Sequence, residues 1–187
     1  MTVRPLCINP NPVLRTATRP VDAFSDEVRR LARDLIETMH ANDGIGLAAP
    51  QIGCDLRMFV ANPSQQRGRE LVVVNPILAE ARGRASVIEG CLSLPDVWDR
   101  VSRFAHVRLR GCDETGRPLA VEAGGLLAIV LQHEFDHLEG HLFIDRLPWF
   151  RRWRLARKIR AAEAQARPGN ASRAGRRPEP RPHAGCA

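Results

Sequence analysis

The 187-residue chain lacks any run near the roughly 18 apolar residues a membrane span requires, so no transmembrane helix is expected. Its opening residues, MTVRPLCINP, contain no apolar stretch of the kind a secretory signal needs, which makes the cytoplasm the expected compartment. The five cysteines (Cys7, Cys54, Cys91, Cys112, Cys186) are odd in number, widely spread and free of any CxxC, which argues against a disulfide framework. No internal repeat is present, and the length suits one well-filled domain. Acidic residues are scarce only at the C-terminal end. Residues 1–147 hold 17 basic and 19 acidic side chains, net −2, whereas residues 148–187 hold 11 and 2, net +9. A near-neutral body thus carries a cationic extension, which implies an anionic partner for the extension rather than an anionic substrate for the body.

What is present centres on QHEFDHLEG, Gln132 to Gly140. His133 and His137 are four apart, so on a helix their imidazoles lie about 40° apart and project from one face, as a two-toothed clamp for a metal ion. Glu134 sits beside whatever they hold, where a carboxylate can take a proton from a metal-bound water. The apolar run Leu126, Leu127, Ile129, Val130, Leu131 just before it predicts a buried, rigid helix. The bland alternative for so short a pattern is a pair of packed core histidines.

Along the chain, residues 1–24 contain four prolines and read as an extended, irregular arm. Ser25 is placed to cap a helix with Asp26 and Glu27 in its first turn and an apolar stripe of Val28, Leu31, Leu35 and Met39, stopping at Asn42-Asp43-Gly44. GIGLAAPQIG, Gly44 to Gly53, carries no charge and almost no bulk, so backbone can approach another group closely there. Leu56 to Ala61 and Leu71 to Asn75 read as strands around a polar turn, the second ended by Pro76. Val87 and Ile88 lead into EGCLSLP, Glu89 to Pro95; Val101 to Arg110 alternates as one strand, with Pro118 to Ala123 as its hairpin partner. One helix before the strands and a buried one after them predict an α+β fold, with largely antiparallel sheets around a central metal-binding helix carrying HExxH. The expected division is a catalytic unit over 1–147, a basic helix over 148–166 opened by Pro148, and a disordered Arg/Pro-rich tail over 167–187. Trp149, Phe150, Trp153, Leu155, Ala156 and Ile159 would dock that helix on the body.

A catalytic metal that keeps one open position needs a third protein ligand. Extension to HExxHxxGxxH supplies Gly140 but requires a histidine at residue 143, which is Phe143. A downstream carboxylate leaves only Glu163, in a solvated basic helix. Cys91 is the third option, because it lies in a Gly-rich, Pro-terminated turn after a strand and its thiolate suits a soft or borderline ion. Buried, inert cysteine is the usual alternative, and it applies to the other four.

GIGLAAPQ (44–51), EGCLSLP (89–95) and QHEFDHLEG (132–140), in this order and at these separations, resemble the three signature motifs of peptide deformylases over roughly residues 4–150. The resemblance implies an iron(II) hydrolase, with zinc(II) or another divalent ion as alternatives, that removes the formyl group from the initiator formylmethionine of nascent polypeptides and releases formate. It implies Cys91, His133 and His137 as metal ligands and Glu134 as general base and later acid. The Gln51 side-chain amide and the Leu92 backbone N–H would be the oxyanion donors. Ile45, Gly46 and Gly90 would bind the peptide, and Leu126 and Ile129 would add apolar wall to a methionine pocket. Many family members carry an arginine seven residues after the ligand cysteine; this chain has Trp98 there, and neither Arg100 nor Arg103 is assigned its role. The resemblance also implies docking on the ribosome through the basic helix. A monomer with no DNA or membrane partner is expected. The competing readings are a degenerate relative acting on other N-acyl peptides and a ribosome- or RNA-binding module with a structural metal.

Overall fold

Apolar residues on one face of the first helix set the architecture. A computed structural model describes residues 2–165 of the chain, so the end of the expected basic helix and the tail 167–187 lie outside the described residues. Helix α1, Asp26–Ala41, buries Val28, Ala32, Leu35 and Met39. Ser25 occupies the N-cap position without a side-chain capping bond, and Asp26 and Glu27 oppose the positive end of the helix dipole. Asn42 ends the helix as expected, its side-chain amide donating to the Thr38 carbonyl. Two buried polar residues of α1 hold the N-terminal arm: Asp34 Oδ1 accepts from Thr2 N–H and Thr38 Oγ1 from Arg4 N–H.

Seven strands follow: β1 (Gly46–Ala48), β2 (Met58–Ala61), β3 (Leu71–Arg82), β4 (Ala85–Cys91), β5 (Leu94–Arg103), β6 (His106–Cys112) and β7 (Pro118–Gly124). Five form an antiparallel sheet in the order β1-β2-β3-β6-β7, while β4 and β5 pair as a separate two-stranded sheet. The second helix, α2, spans Gly125–Leu138 and α3 spans Trp149–Gln165. The chain is α+β with antiparallel sheets, as the order of elements predicts. Alternation along β2 shows how the layers stack: Met58 and Val60 pack with Leu35 and Met39 of α1, whereas Phe59 and Ala61 pack with Leu131 and Leu138 of α2. With sheet on one side and site on the other, α2 has little reason to be amphipathic, and nine of its fourteen residues are buried.

The structure departs from the sequence reading in three places. Pro76 does not end β3; the strand runs on to Arg82, with a register shift against β6 between Val74 and Ile77 that accommodates the missing N–H. The alternating stretch 101–110 is not one strand. It breaks at Phe104 and Ala105, so that Val101 faces a cluster with Leu94, Val97 and Phe143, while Val107 and Leu109 face the α2 layer. At the break, the Gln132 side chain accepts from Phe104 N–H and donates to the Phe104 carbonyl, both at 2.9 Å. Finally, among the described side chains of α3, Leu155 and Ile159 alone form the apolar seam on the cluster of Leu94, Val97 and Phe143. Trp149 and Trp153 lie about 120° and about 160° round the helix from Leu155 and are 80% and 76% exposed, so neither docks on the body. Phe150 is 48% exposed as well. No described helix is long and apolar enough to cross a membrane.

Candidate metal centre and active site

The β4–β5 hairpin and α2 bring together residues far apart in the chain. A register shift after Gly90 turns Cys91 out of the regular β4–β5 ladder, and α2 presents His133 and His137 to it. The donor atoms of Cys91, His133 and His137 all lie within 4.8 Å of one another, and Cys91 Sγ is 3.2 Å from His137 Nε2. One sulfur and two nitrogens at such separations fit a single tetrahedral ion with bonds of about 2.0–2.3 Å, leaving a fourth position open.

Each donor is prepared for a cation. Burial alone would raise the Cys91 thiol, but His137 and His133 outweigh it and draw its pKa down to about 5, giving a thiolate near neutrality. His133 Nδ1 is 2.8 Å from Glu89 Oε2. Burial opposes ionisation of Glu89, yet its bonds to Arg103 and His133 hold it down to about 2. A carboxylate can only accept, so His133 donates through Nδ1, which leaves its other nitrogen, Nε2, to face Cys91. His137 Nδ1 is buried without a partner among the described residues.

Glu134 is 4% exposed and stands beside the three donors. Its Oε2 has no hydrogen-bond partner among the described residues, and burial pushes its pKa up to about 7 against the pull of both histidines. A group balanced near neutrality can both take and return a proton. The uncharged GIGLAAPQ segment makes room for it: a Cβ on Gly46 would come 2.3 Å from Glu134 Oε1 and 2.9 Å from Val130 Cγ1. Gln51, in a short 3-10 turn over Ala49–Ile52, is fixed by Ala48 N–H donating to its Oε1 at 2.8 Å. That bond turns its amide nitrogen toward Ser93 Oγ at 3.2 Å and Cys91 Sγ at 3.5 Å.

These groups open on a cavity of about 460 Å³. Ile45, Gly46, Gly90, Leu92, Leu126 and Ile129 all line it, beside Cys91, His133, Glu134 and Gln51. Every site residue expected from the sequence therefore converges on one place, with His137 buried behind Cys91. Leu126, which sequence leaves between wall and core, is 49% exposed at the cavity mouth. Sequence reasoning misses the layer behind the three donors. Arg103, 4% exposed, donates twice to Glu89 (2.7 and 2.8 Å) and once to Asp136 (2.6 Å), and Arg146 also bonds Asp136. Arg100 points elsewhere, reaching the Ser86 carbonyl, so among the described residues no arginine takes the place that Trp98 occupies. The available signal was that Glu89 and Asp136 fall inside the motifs, each two residues or fewer from a proposed ligand.

Comparison with known proteins places the chain in a family. A relative in Alkalilimnicola ehrlichii described as a peptide deformylase is 40% identical over 177 residues, covering 94% of this chain and 99% of that one. The crystal structure of a peptide deformylase from Legionella pneumophila superposes with a TM-score of 0.83 at 37% identity, over 89% of this chain and 99% of that one. That of a peptide deformylase from Thermus thermophilus gives 0.83 at 42% identity, over 88% and 98%. The sequence model of the polypeptide deformylase family matches residues 3–153, and the chain belongs to that family.

Proposed function

We propose that this metal-dependent hydrolase of the peptide deformylase family removes the formyl group from N-terminal formylmethionine of nascent polypeptides with Cys91, His133 and His137 as metal ligands and Glu134 as proton carrier. The observation that carries the assignment is the convergence of those three donor atoms within 4.8 Å beside a buried carboxylate oxygen that has no other described partner. A divalent ion held there supplies Lewis-acid polarisation of the formyl carbonyl and acidifies a water. Glu134 accepts the proton of the attacking water and delivers it to the departing amine. The Gln51 amide and the Leu92 N–H receive the charge that develops on the formyl oxygen, donors of a kind worth about 2.7–4 kcal/mol each in other hydrolases. Ile45, Gly46 and Gly90 hold the peptide, and Leu126 and Ile129 flank an unbranched methionine side chain. We assign iron(II) as the resident ion, with zinc(II) satisfying the same Cys-His-His set. Formate release from a short formyl-Met peptide by protein loaded anaerobically with Fe(II), beside a Glu134→Ala control, tests the reading; an inactive, folded, metal-loaded wild type overturns it.

The close approach at Gly46 gives a second test. Gly46→Ala is expected to displace the Glu134 carboxylate by a fraction of an ångström or more and lower kcat/KM about 100-fold, with metal content unchanged. A rate within threefold of wild type would show that the carboxylate tolerates the methyl group.

The catalytic unit on this reading is residues 1–147, acting in the cytoplasm as a monomer, with the basic helix as an appendage. Of the six cationic side chains between Arg151 and Arg160, Arg151 is tied to Asp99 and the Arg100 carbonyl, while the others suit ribosomal RNA phosphates, an attraction that falls steeply with salt. Removal of residues 149–187 is expected to abolish co-sedimentation with ribosomes at low salt; unchanged co-sedimentation would refute the contact.

A further inference from the structure

The mouth of the cavity has a chemistry of its own. Trp98 stands opposite Gly90 in the β4–β5 ladder, and its ring lies so close over that residue that a Cβ on Gly90 would come 2.4 Å from Cε3 and Cζ3. Gly90 is therefore the floor on which the indole rests, an aromatic-on-glycine cross-strand pair. Trp98 remains 48% exposed, as do Leu126 at 49% and Ile88 at 60%, and all three line the cavity. Deeper in, Ile129 and Val130 are buried. Among the described residues no lysine or arginine lines the cavity, while Asp43 and Asp96 stand exposed at its edge. Both nearby arginines are bound elsewhere, Arg103 in its buried ion pairs and Arg100 on the Ser86 carbonyl.

A formyl group sits at the very start of a chain. When it reaches Glu134 and the three donors, the remainder of the peptide has to leave across the mouth. The residues after methionine thus meet Trp98, Ile88 and Leu126.

We propose that Trp98, with Ile88 and Leu126, forms an apolar platform that makes this chain selective for formylated peptides with apolar residues directly after methionine and against those with acidic ones. The proposal rests on the deformylase reading above. An apolar side chain laid on the indole removes surface from water on both partners. A carboxylate there loses hydration, finds no cation and faces Asp43 and Asp96. The platform acts on ground state and transition state alike, so its effect falls on KM rather than kcat.

The test compares formyl-Met-Leu-Leu, formyl-Met-Ala-Ala and formyl-Met-Glu-Glu on Fe(II)-loaded full-length protein, wild type, Trp98→Ala and Trp98→Arg. Wild type is expected to favour Leu-Leu over Glu-Glu by about 10-fold or more in kcat/KM, carried by KM. Trp98→Ala should shrink that ratio several-fold and Trp98→Arg should invert it. A Leu-to-Glu ratio near one in wild type, or the same ratio in all three proteins, overturns the platform while leaving the deformylase reading intact. No formate from any peptide overturns both. Calorimetric binding of the products Met-Leu-Leu and Met-Glu-Glu to the wild type is independent of whether the variants fold. Equal affinity there refutes the proposal.

Discussion

Glu134→Ala, and equally Glu134→Gln, is expected to cut formate release by about 10²- to 10⁴-fold, the usual worth of a positioned general base. Metal content should remain at one ion per chain. The reason lies in the division of labour on α2: His133 and His137 face Cys91, while Glu134 lies one step round the helix, against Gly46. On the deformylase reading, removing the carboxylate deletes the proton carrier and leaves the three donors in place. Glutamine keeps the shape but has no basic oxygen, so the two variants should fail alike. Metal stoichiometry measured beside the rate separates this outcome from loss of the ion. Retention of more than a tenth of the wild-type kcat would show that the proton travels by another group.

The largest effect on stability is expected at Arg103, a residue that touches neither substrate nor ion on this reading. Arg103→Met leaves two buried carboxylates, Glu89 and Asp136, without their shared guanidinium. Stranding charges in this way typically costs about 3–5 kcal/mol, or a fall in Tm of roughly 6–20 °C for a chain of this size. The same groups set the acid limit. Glu89 is drawn down to about 2 from an ordinary value of 4.5, chiefly because the Arg103 and His133 bonds overcome its burial; Asp136 is lowered likewise, through Arg146 and Arg103 against burial. A depressed carboxylate contributes fully above its unfolded value and loses that contribution as pH falls toward the folded one. For Glu89 this is on the order of 3 kcal/mol, disappearing between about pH 4.5 and 2. Urea midpoints measured in chelator, so that metal release makes no difference, should fall more steeply across that window for wild type than for Glu89→Gln. Parallel curves would mean the carboxylate is not paired in solution as it is in the structure.

How much of this was legible in the sequence depended on whether the signal was local. The HExxH spacing, the helix from Asp26 and the hairpin from β6 to β7 follow from periodicity and turn residues a few positions apart. Cys91 as third ligand could be reached from its Gly-rich setting and by failure of Phe143 and Glu163, but it was the order of three motifs that singled it out. What stayed hidden is what long-range pairing decides. Nothing near Arg103 announces that it bonds two carboxylates, one 14 and one 33 residues away. Nothing in the alternation of 101–110 reveals that the chain changes sheets midway, because both halves bury every second residue. The basic helix misleads for a related reason: its tryptophans promise burial by type, while the seam is chosen by the four-residue spacing of Leu155 and Ile159.

The amide of Gln132 offers Phe104 one acceptor and one donor, the pair a neighbouring strand would have provided. It is a side chain imitating a peptide group. That mimicry lets the polypeptide abandon one ladder and join another without stranding a buried N–H or carbonyl, and it frees the Cys91 hairpin to lean over α2 instead of extending the larger sheet. Only glutamine carries both halves of the imitation at that reach: glutamate has no donor at neutral pH, methionine has neither group, and asparagine is a methylene short. The residue beside His133 is thus fixed by a joint in the scaffold rather than by the chemistry next to it.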